Sequence, residues 1–322
     1  MKDLKFWEFV KSSIKNGNSV IMMAVLEATG GSPGKAGFKM AVNADEELCG
    51  TIGGGIMEYN FIEESKKHLR NKEKVRKFQK LYHNKKVKDN QSGLICAGTE
   101  SIFTCYLNFE DMTTVKQICK SFEEGTRSLL KISPEGISIK KDKRNKEHII
   151  FKKESDKRWY YEENIGVQNT VYVIGCGHVG LAVSKIMSQL DFYVVTFDNR
   201  PDVITVKRND FSDELIIKDF DKIGKDIPEG DYSYVVIVTT AYPSDKEALL
   251  QVINKKIRYI GLMGSATKIK KIYDEVQKEG ISPNKLKSIH APIGEKISSN
   301  TPDEIAISIA AEIIKIKNSV NQ

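Results

Sequence analysis

The chain has 322 residues, of which 40% are hydrophobic and 29% charged, a composition typical of a globular protein long enough for two domains. Its net charge is +7, no apolar run approaches the roughly 18 residues that a membrane span needs, and the first residues lack a signal-peptide pattern, so we expect a cytoplasmic protein without a membrane partner. The five cysteines are scattered and form no Cys-x-x-Cys pair, which argues against a disulfide framework and a structural zinc site.

The first half of the chain predicts a small α+β domain. Apolar residues at helical spacing, Leu4, Trp7, Val10 and Ile14, predict an opening helix. The runs SVIMMAVLEA and FKMAVNA predict strands on either side of the loop TGGSPGKAG, and GLICAGTESIFTCYL predicts a further strand. Between them, the three consecutive glycines of CGTIGGG lead directly into the helical stretch IMEYNFIEESKKHLR.

A basic stretch spans residues 66–90, with eleven Lys or Arg against two acidic residues, Glu73 and Asp89. It is either a solvated surface or a site for an anionic ligand or an acidic partner. We expect no nucleic-acid partner, because few aromatic residues are interleaved with these charges and no recognition motif is present.

The middle of the chain has the weakest pattern. A helix is predicted near residues 113–122, and four short β-like runs follow it: SLLKIS, GISIKK, HIIFKK and RWYYEE. We therefore predict an N-terminal domain over 1–110, a β-rich connector over 111–168 and a C-terminal domain over 169–322.

From residue 169 onward, strands and helices alternate. The strand runs are TVYVIG, FYVVTFD, ELIIKDF, YSYVVIVTT, IRYIGLMG and LKSIHA, with helices near 178–190, 244–254, 266–278 and 302–317. Continuous Val and Ile runs between amphipathic helices predict a doubly wound parallel sheet of the Rossmann type. The last helix carries a capping box, with Thr301, then Pro302 at its first turn and Glu304 three residues after Thr301.

A dinucleotide-binding pattern opens this second half. Gly175, Gly177 and Gly180 follow the first strand directly, and Asp198 lies eighteen residues past Gly180, where an acid would meet a ribose hydroxyl. The helix that starts at this turn offers free N–H groups to a phosphate, and Arg200 favours an additional phosphate. The alternative is a Rossmann scaffold whose site is empty or serves another purpose.

Taken together, these segments resemble the xanthine dehydrogenase accessory family, XdhC/CoxI. The resemblance is carried by GGSPGKAGFKM, GTIGGGIMEYN, GLICAG, VYVIGCGHVG, FDNR, YIGLMGS, IHAPIG and TPDEIAISIAAEII. It implies a cytoplasmic accessory protein that binds molybdenum cofactor, assists its sulfuration by a cysteine desulfurase and inserts it into an apo-enzyme such as xanthine dehydrogenase. It also implies a non-catalytic carrier or chaperone, a homodimer, and a variable connector over 111–168.

The sequence departs from this family at four places. Ala97 stands where the family usually has glycine, and an acid that follows APIG in the family is replaced around Glu295 and Lys296. Residues 31–34 read GSPG where the family usually has SSPR, and residues 239–242 read TTAY where it commonly has THDH. Two other functions stay open: an NAD(P)-dependent oxidoreductase, and a nucleotide-sensing regulatory module. NAD(P) is accordingly a second candidate ligand beside molybdenum cofactor.

The candidate ligand residues come from both halves. The glycines before the second helix predict an anion-cradling turn or a simple tight connection, and Glu58 in the first turn of that helix suits the helix dipole. Lys39 and Lys35 are phosphate contacts or solvated lysines, and Cys96 is a thiolate facing molybdenum or a small buried cysteine. His290, near a strand end, is a ligand contact or a structural histidine. The predicted cofactor-binding residues are Gly53, Gly54, Gly55, Lys39, Cys96, Gly175, Gly177, His178, Gly180, Asp198 and His290; no catalytic residue or protein-bound metal ion is assigned.

Overall fold

The computed structural model describes residues 2–82, 98–142 and 149–319. The chain divides into two units, Met1–Val167 and Gln168–Gln322. Two antiparallel sheets form the first unit and one parallel sheet forms the second, so the predicted α/β class with a C-terminal Rossmann-like sheet is confirmed. Within the described ranges, none of the helices combines the length and apolar character needed to cross a membrane.

The larger sheet of the first unit has its central strand buried on both faces. The strands and helices of this part are α1 Lys2–Lys15, β1 Val20–Gly30, β2 Lys39–Asn43, β3 Leu48–Gly50, α2 Gly55–Arg70, β4 Arg76–Tyr82, β5 Gly98–Leu107 and α3 Met112–Glu123. The sheet order is β3-β2-β1-β5-β4, with every pair antiparallel. On β1, Met22 packs with Trp7 of α1, whereas Met23 packs with Phe61 of α2. The edge strand β4 is not predicted by the sequence.

The four short runs predicted as β form the second sheet of the first unit. Their bounds are β6 Ser128–Ser133, β7 Gly136–Lys141, β8 Ile149–Ser155 and β9 Arg158–Ile165. The sheet order is β7-β6-β9-β8, again antiparallel. Leu130, Trp159 and Tyr161 pack in the same hydrophobic cluster as Trp7, so this sheet shares a core with the opening helix.

The second unit is a five-stranded parallel sheet in the order β12-β11-β10-β13-β14. Its elements are β10 Thr170–Ile174, α4 His178–Gln189, β11 Tyr193–Asp198, α5 Ile204–Lys207, β12 Glu214–Ile217, β13 Gly230–Ile237, α6 Tyr242–Val252, β14 Ile257–Leu262, α7 Ala266–Lys278, α8 Pro283–Leu286 and α9 Pro302–Asn318. This is the strand order of the Rossmann fold. Val173 packs with α4 and α9 on one face, and Ile174 packs with α6 and α7 on the other.

The predicted strand LKSIHA is wrong. Its first residue, Leu286, ends the short helix α8, which begins at Pro283 after the N-cap residue Ser282. Proline at the first helical position is a start signal that overrides the apolar run. His290 nevertheless pairs with Gly261 in a parallel bridge, so it occupies the position of a sixth strand.

Candidate functional site

The three glycines of the second unit have three different structural roles. Gly175 has φ +101°, and a Cβ there would lie 2.8 Å from the Cα of Thr239. A Cβ on Gly180 would lie 1.9 Å from the Gly175 carbonyl oxygen. At Gly177, with φ −73°, the nearest atom to a Cβ would be Cγ2 of Thr240 at 3.8 Å. The fold therefore requires glycine at 175 and 180, whereas at 177 a Cβ would make only an ordinary van der Waals contact.

This turn lies at the carboxyl ends of three neighbouring strands. The Gly175 N–H group donates to the carbonyl of Phe197 at the end of β11, at 2.8 Å, and the Val238 N–H group after β13 donates to Ile174 at 2.9 Å. Strand order reverses between β10 and β13, and open α/β sheets bind their ligands at such a switch point. α4 starts here with the exposed residue His178, and its N-cap residue, Gly177, has no side chain that could cap the helix.

Asp198 lies beside the turn, at the end of β11, but its carboxylate faces inward. It accepts the Cys176 N–H group at 2.7 Å and the Arg200 backbone N–H group at 3.0 Å. The Arg200 guanidinium donates to both carboxylate oxygens, each at 2.9 Å. Burial raises the pKa of Asp198, but these hydrogen bonds outweigh it, and the pKa lies below its usual value. The predicted ribose acid thus braces the glycine turn.

A second buried carboxylate holds the loop after β13. Asp245, which is 0% exposed, accepts the Thr239 hydroxyl at 2.5 Å and the Thr239 N–H group at 3.1 Å. Its other oxygen pairs with Lys268 of α7. Burial is the largest effect on Asp245 and raises its pKa despite these partners. Asp245 therefore holds the loop of residues 239–242 in place through its hydrogen bonds to Thr239.

His290 belongs to a third polar cluster, on the far side of β14. Its Nδ1 lies 3.0 Å from Glu312 of α9, and its ring lies against Tyr259 with centroids 4.7 Å apart. Glu312 also accepts the Tyr259 hydroxyl at 2.5 Å and the Gly294 N–H group at 2.8 Å. Burial raises the pKa of Glu312, but the three donors outweigh it and the pKa lies below its usual value. This cluster orients the half-exposed His290 ring.

The glycine turn of the first unit already holds an anion, which is the carboxylate of Glu58. Glu58 Oε2 accepts the N–H groups of Ile52 and Gly54 at 2.9 and 3.0 Å. Gly53 donates to the hydroxyl of Thr51, which itself donates to Glu58 at 2.5 Å. Gly55 begins α2.

The preceding loop packs against this turn, backbone to backbone. A Cβ on Gly34 would lie 2.4 Å from the Ile52 carbonyl oxygen, and one on Gly53 would lie 2.6 Å from the Gly34 nitrogen. The Gly34 N–H group donates to the buried carboxylate of Glu100 at 2.8 Å. The close approach leaves no room for a Cβ at Gly34 unless this backbone shifts.

The sequence predicts Lys39 as a phosphate contact, but the structure buries it. Its ammonium pairs with Glu163 and donates to the Gly37 carbonyl at 2.9 Å, and its side chain is only 5% exposed. Burial lowers the pKa of Lys39, but the opposite effects of nearby carboxylates, chiefly that of Glu163, together outweigh it, so the pKa lies above its usual value. Lys39 is thus held inside the unit, whereas Lys35 is exposed.

Of the four cysteines in the described residues, three are buried and Cys49 on β3 is partly buried. Cys105 and Cys119 are buried in the core as predicted, and Cys176 is buried under the glycine turn, where burial raises its pKa to about 11. Cys96 lies outside the described residues. Among the residues described, no group of three His, Cys, Asp or Glu side chains is arranged to hold a metal ion.

Two family profiles match the chain. The XdhC Rossmann domain matches residues 171–313, and the XdhC and CoxI family matches residues 13–79. The chain belongs to the XdhC and CoxI family. The glycine turn, Asp198, Asp245 and His290 all lie inside the XdhC Rossmann domain match, and the Glu58 turn lies inside the other.

The chain is also similar to two curated proteins and to a solved structure. The chain is 24% identical over 318 residues to the uncharacterized protein YqeB of Escherichia coli, covering 96% of this chain and 46% of that protein. It is 26% identical over 148 residues to a probable xanthine dehydrogenase subunit of Bacillus subtilis, covering 46% of this chain and 43% of that protein. The chain thus matches less than half the length of either relative. A crystal structure described as a xanthine dehydrogenase from Bacillus halodurans has the same fold, with a TM-score of 0.76, 19% identity, and coverage of 97% of this chain and 96% of that one.

Sequence reasoning missed the buried partners of these sites. Asp245 is in the first turn of α6, where an acid is usually explained by the helix dipole alone. Glu312 gives a clearer signal, because it lies between the buried Ile309 and Ile313 of α9. A carboxylate so close to a buried helix face indicates a partner inside the fold.

Proposed function

We propose that this protein is an accessory protein for a molybdenum hydroxylase such as xanthine dehydrogenase. In this proposal it binds molybdenum cofactor, assists its sulfuration and inserts it into the apo-enzyme. Membership in the XdhC and CoxI family supports the proposal, as does the Bacillus subtilis relative, whose name is that of a probable xanthine dehydrogenase subunit. The observation that carries the ligand site is the glycine at position 177. A side chain there would fit the fold, so packing alone does not explain the glycine.

The residues around Gly177 suit an anionic, phosphate-bearing pterin. A phosphate is bound well by backbone N–H groups at a glycine turn and by the positive end of a helix, and both occur where α4 begins. Gly177 lets the ligand approach the backbone closely, as the second glycine of this motif does in nucleotide-binding folds. The molybdenum centre supplies the redox chemistry of the hydroxylase that receives it, whereas this chain binds, orients and releases its cargo.

The proposed partners follow from the same family membership. They are the apo-hydroxylase, a cysteine desulfurase that provides sulfur, and a second copy of this chain in a homodimer, all in the cytoplasm. Light scattering tests the dimer directly, since a monomer of 36.3 kDa at micromolar concentration would contradict it.

The test of the function is cofactor carriage by the full chain. The protein and the variant Gly177→Val are purified from a molybdenum-replete host, and released small molecules are identified by mass spectrometry. We expect the pterin with the wild-type protein and a loss of about tenfold or more with Gly177→Val, because the valine occupies the space that the ligand needs. The wild-type protein should also raise the activity of the apo-hydroxylase.

A control for destabilisation alone is Gly17→Ala in the first unit, where a Cβ meets open space but the φ of +86° strains a side chain. It should carry the pterin at the wild-type level. A wild-type protein that carries no pterin and does not activate the hydroxylase contradicts the proposal. Recovery of NAD(P) instead, with turnover of a small alcohol or hydroxy acid, would establish the oxidoreductase; NAD(P) without turnover would favour the sensing module.

A further inference from the structure

We infer that Arg200 makes the site of the second unit selective for a phosphomonoester and closes it to the ribose diol of NAD. Rossmann sites that bind NAD use an acid at the end of the second strand to accept ribose hydroxyls. In this chain the acid, Asp198, is present, but Arg200 already donates hydrogen bonds to both of its carboxylate oxygens. The inference rests on the proposed function only in taking the glycine turn at Gly177 as the ligand site.

The carboxylate of Asp198 has no acceptor capacity left for a diol. A carboxylate offers about four lone-pair positions. Its Oδ1 accepts the backbone N–H and Nε of Arg200 at 3.0 and 2.9 Å, and its Oδ2 accepts the N–H of Cys176 and Nη2 of Arg200 at 2.7 and 2.9 Å. The residue is 0% exposed. A ribose hydroxyl therefore has to displace a charged donor to bind.

Arg200 presents donors where an NAD-binding chain presents acceptors. Of the five N–H donors of a guanidinium, two point to Asp198. The remaining donors contact no acceptor within the ranges that the structure describes, and the side chain is 38% exposed. The bidentate contact with Asp198 fixes the plane of the guanidinium, so little side-chain entropy is lost when it binds a ligand.

The position of these donors beside the glycine turn defines the ligand. Asp198 links Arg200 to the Cys176 N–H group, so the guanidinium lies next to the start of α4. The Asp198–Arg200 pair is neutral overall, whereas its exposed part offers only donors. A doubly charged phosphate matches such a planar array and gains from the positive helix end.

Two sources carry this chemistry: the 2′-phosphate of NADP and the terminal phosphate of a nucleotide-free pterin cofactor. Both are phosphomonoesters. NAD has none, and a dinucleotide form of molybdenum cofactor carries a pyrophosphate in its place. With molybdenum cofactor as cargo, the inference therefore favours its nucleotide-free form.

Isothermal titration calorimetry of the full chain tests this specificity. NAD⁺, NADP⁺, phenyl phosphate and its diester methyl phenyl phosphate are each titrated into the wild-type protein. We expect phenyl phosphate and NADP⁺ to bind about tenfold or more tightly than their partners, methyl phenyl phosphate and NAD⁺. Equal affinity within each pair overturns the inference, and so does a failure of every phosphomonoester to bind.

Variants separate specificity from structural support. Arg200→Ala should lose about tenfold or more of the affinity for phenyl phosphate while its NAD⁺ affinity stays equal or rises, because Asp198 regains acceptor capacity. Arg200→Lys keeps the charge but not the planar contact, so its affinity for phenyl phosphate should lie between those of the wild type and Arg200→Ala. Arg208→Ala, an exposed arginine on the same segment, is the matched control and should change neither affinity. An equal loss for all ligands in both Arg200 variants assigns Arg200 a structural role and overturns the inference.

These results are independent of the cargo test. Selective binding of NADP⁺ and phenyl phosphate by a protein that carries no pterin would keep the specificity and refute the proposed function. Pterin carriage without discrimination by Arg200 would support the proposed function and refute the specificity.

Discussion

The carboxylate of Glu58 accepts the backbone N–H group of Gly54 at 3.0 Å, at the turn from which its own helix begins. The same oxygen accepts the N–H group of the buried Ile52. A turn with the sequence of an anion cradle is thus filled by the protein itself. The two glycine-rich turns of this chain are therefore alike in one respect, since the turn at Gly177 also donates an N–H group, that of Cys176, to a carboxylate of the protein, that of Asp198.

Removing Glu58 should expose the anion-binding character of its turn. Glu58→Ala leaves the N–H groups of Ile52 and Gly54 without their acceptor, and we expect a loss of about 1–3 kcal/mol in the free energy of unfolding. Glu58→Gln keeps an acceptor oxygen and should lose less. Urea titrations measure both, and added phosphate should restore part of the stability of Glu58→Ala beyond any effect on the wild type. No loss in Glu58→Ala would show that this hydrogen-bond set contributes nothing.

The glycines at 175 and 177 should separate folding from ligand binding. Gly175→Ala adds a side chain to a residue with positive φ, and this side chain would lie too close to Thr239. We therefore expect about 1–3 kcal/mol of destabilisation. Gly177→Ala fits its φ and makes only an ordinary contact with Thr240, so its stability should stay within about 1 kcal/mol of the wild type. Thermal unfolding and phosphate binding are measured on both variants. The reverse ranking of stability would contradict the roles assigned here.

Local patterns in the sequence predict most of the fold. The Val and Ile runs predict the five parallel strands, and the capping box of α9 is present as predicted, with Glu304 accepting the Thr301 N–H group at 3.0 Å. The edge strand β4 escapes prediction because Arg76, Lys77 and Lys80 hide its alternation. The strand predicted at LKSIHA fails because a helix start at Pro283 outweighs a short apolar run.

The site is less predictable because its partners are distant in sequence. No pattern near Lys39 predicts its partner. That partner is Glu163 of β9, which is 124 positions away in the sequence. Asp198 is at the predicted position, but its role changes because Arg200 follows two residues later and folds back on it. Spacing predicts where an acid lies, and only the hydrogen bonds show which groups it serves.

Acid should weaken the second unit through Asp198. Its folded-state pKa lies below the ordinary value of 3.8, so the ionised form stabilises the fold. That contribution is fully present above the unfolded-state pKa and is lost as the pH falls below about 3.8 through the folded-state pKa. Asp198→Asn should cost about 2–4 kcal/mol at neutral pH, and the gap to the wild type should narrow in acid. A gap that stays constant between pH 7 and about pH 2 would contradict the assignment of this pH dependence to Asp198.

The buried pair of Lys39 and Glu163 should show its importance only when one partner is removed. Lys39→Met leaves the Glu163 carboxylate, whose side chain is 7% exposed, without its counter-charge, and we expect a loss of about 3–5 kcal/mol. Lys39→Met combined with Glu163→Gln leaves no buried charge, so the double variant should lose clearly less than the sum of the single changes. The surface pair of Lys74 and Glu110, 65% and 77% exposed, is the control, and Lys74→Met should change stability by less than about 1 kcal/mol. Additive losses at Lys39 and Glu163, measured by urea unfolding, would show that the two groups do not interact. Phosphate affinity should stay unchanged in Lys39→Met, because its ammonium is directed to Glu163 and the Gly37 carbonyl inside the first unit.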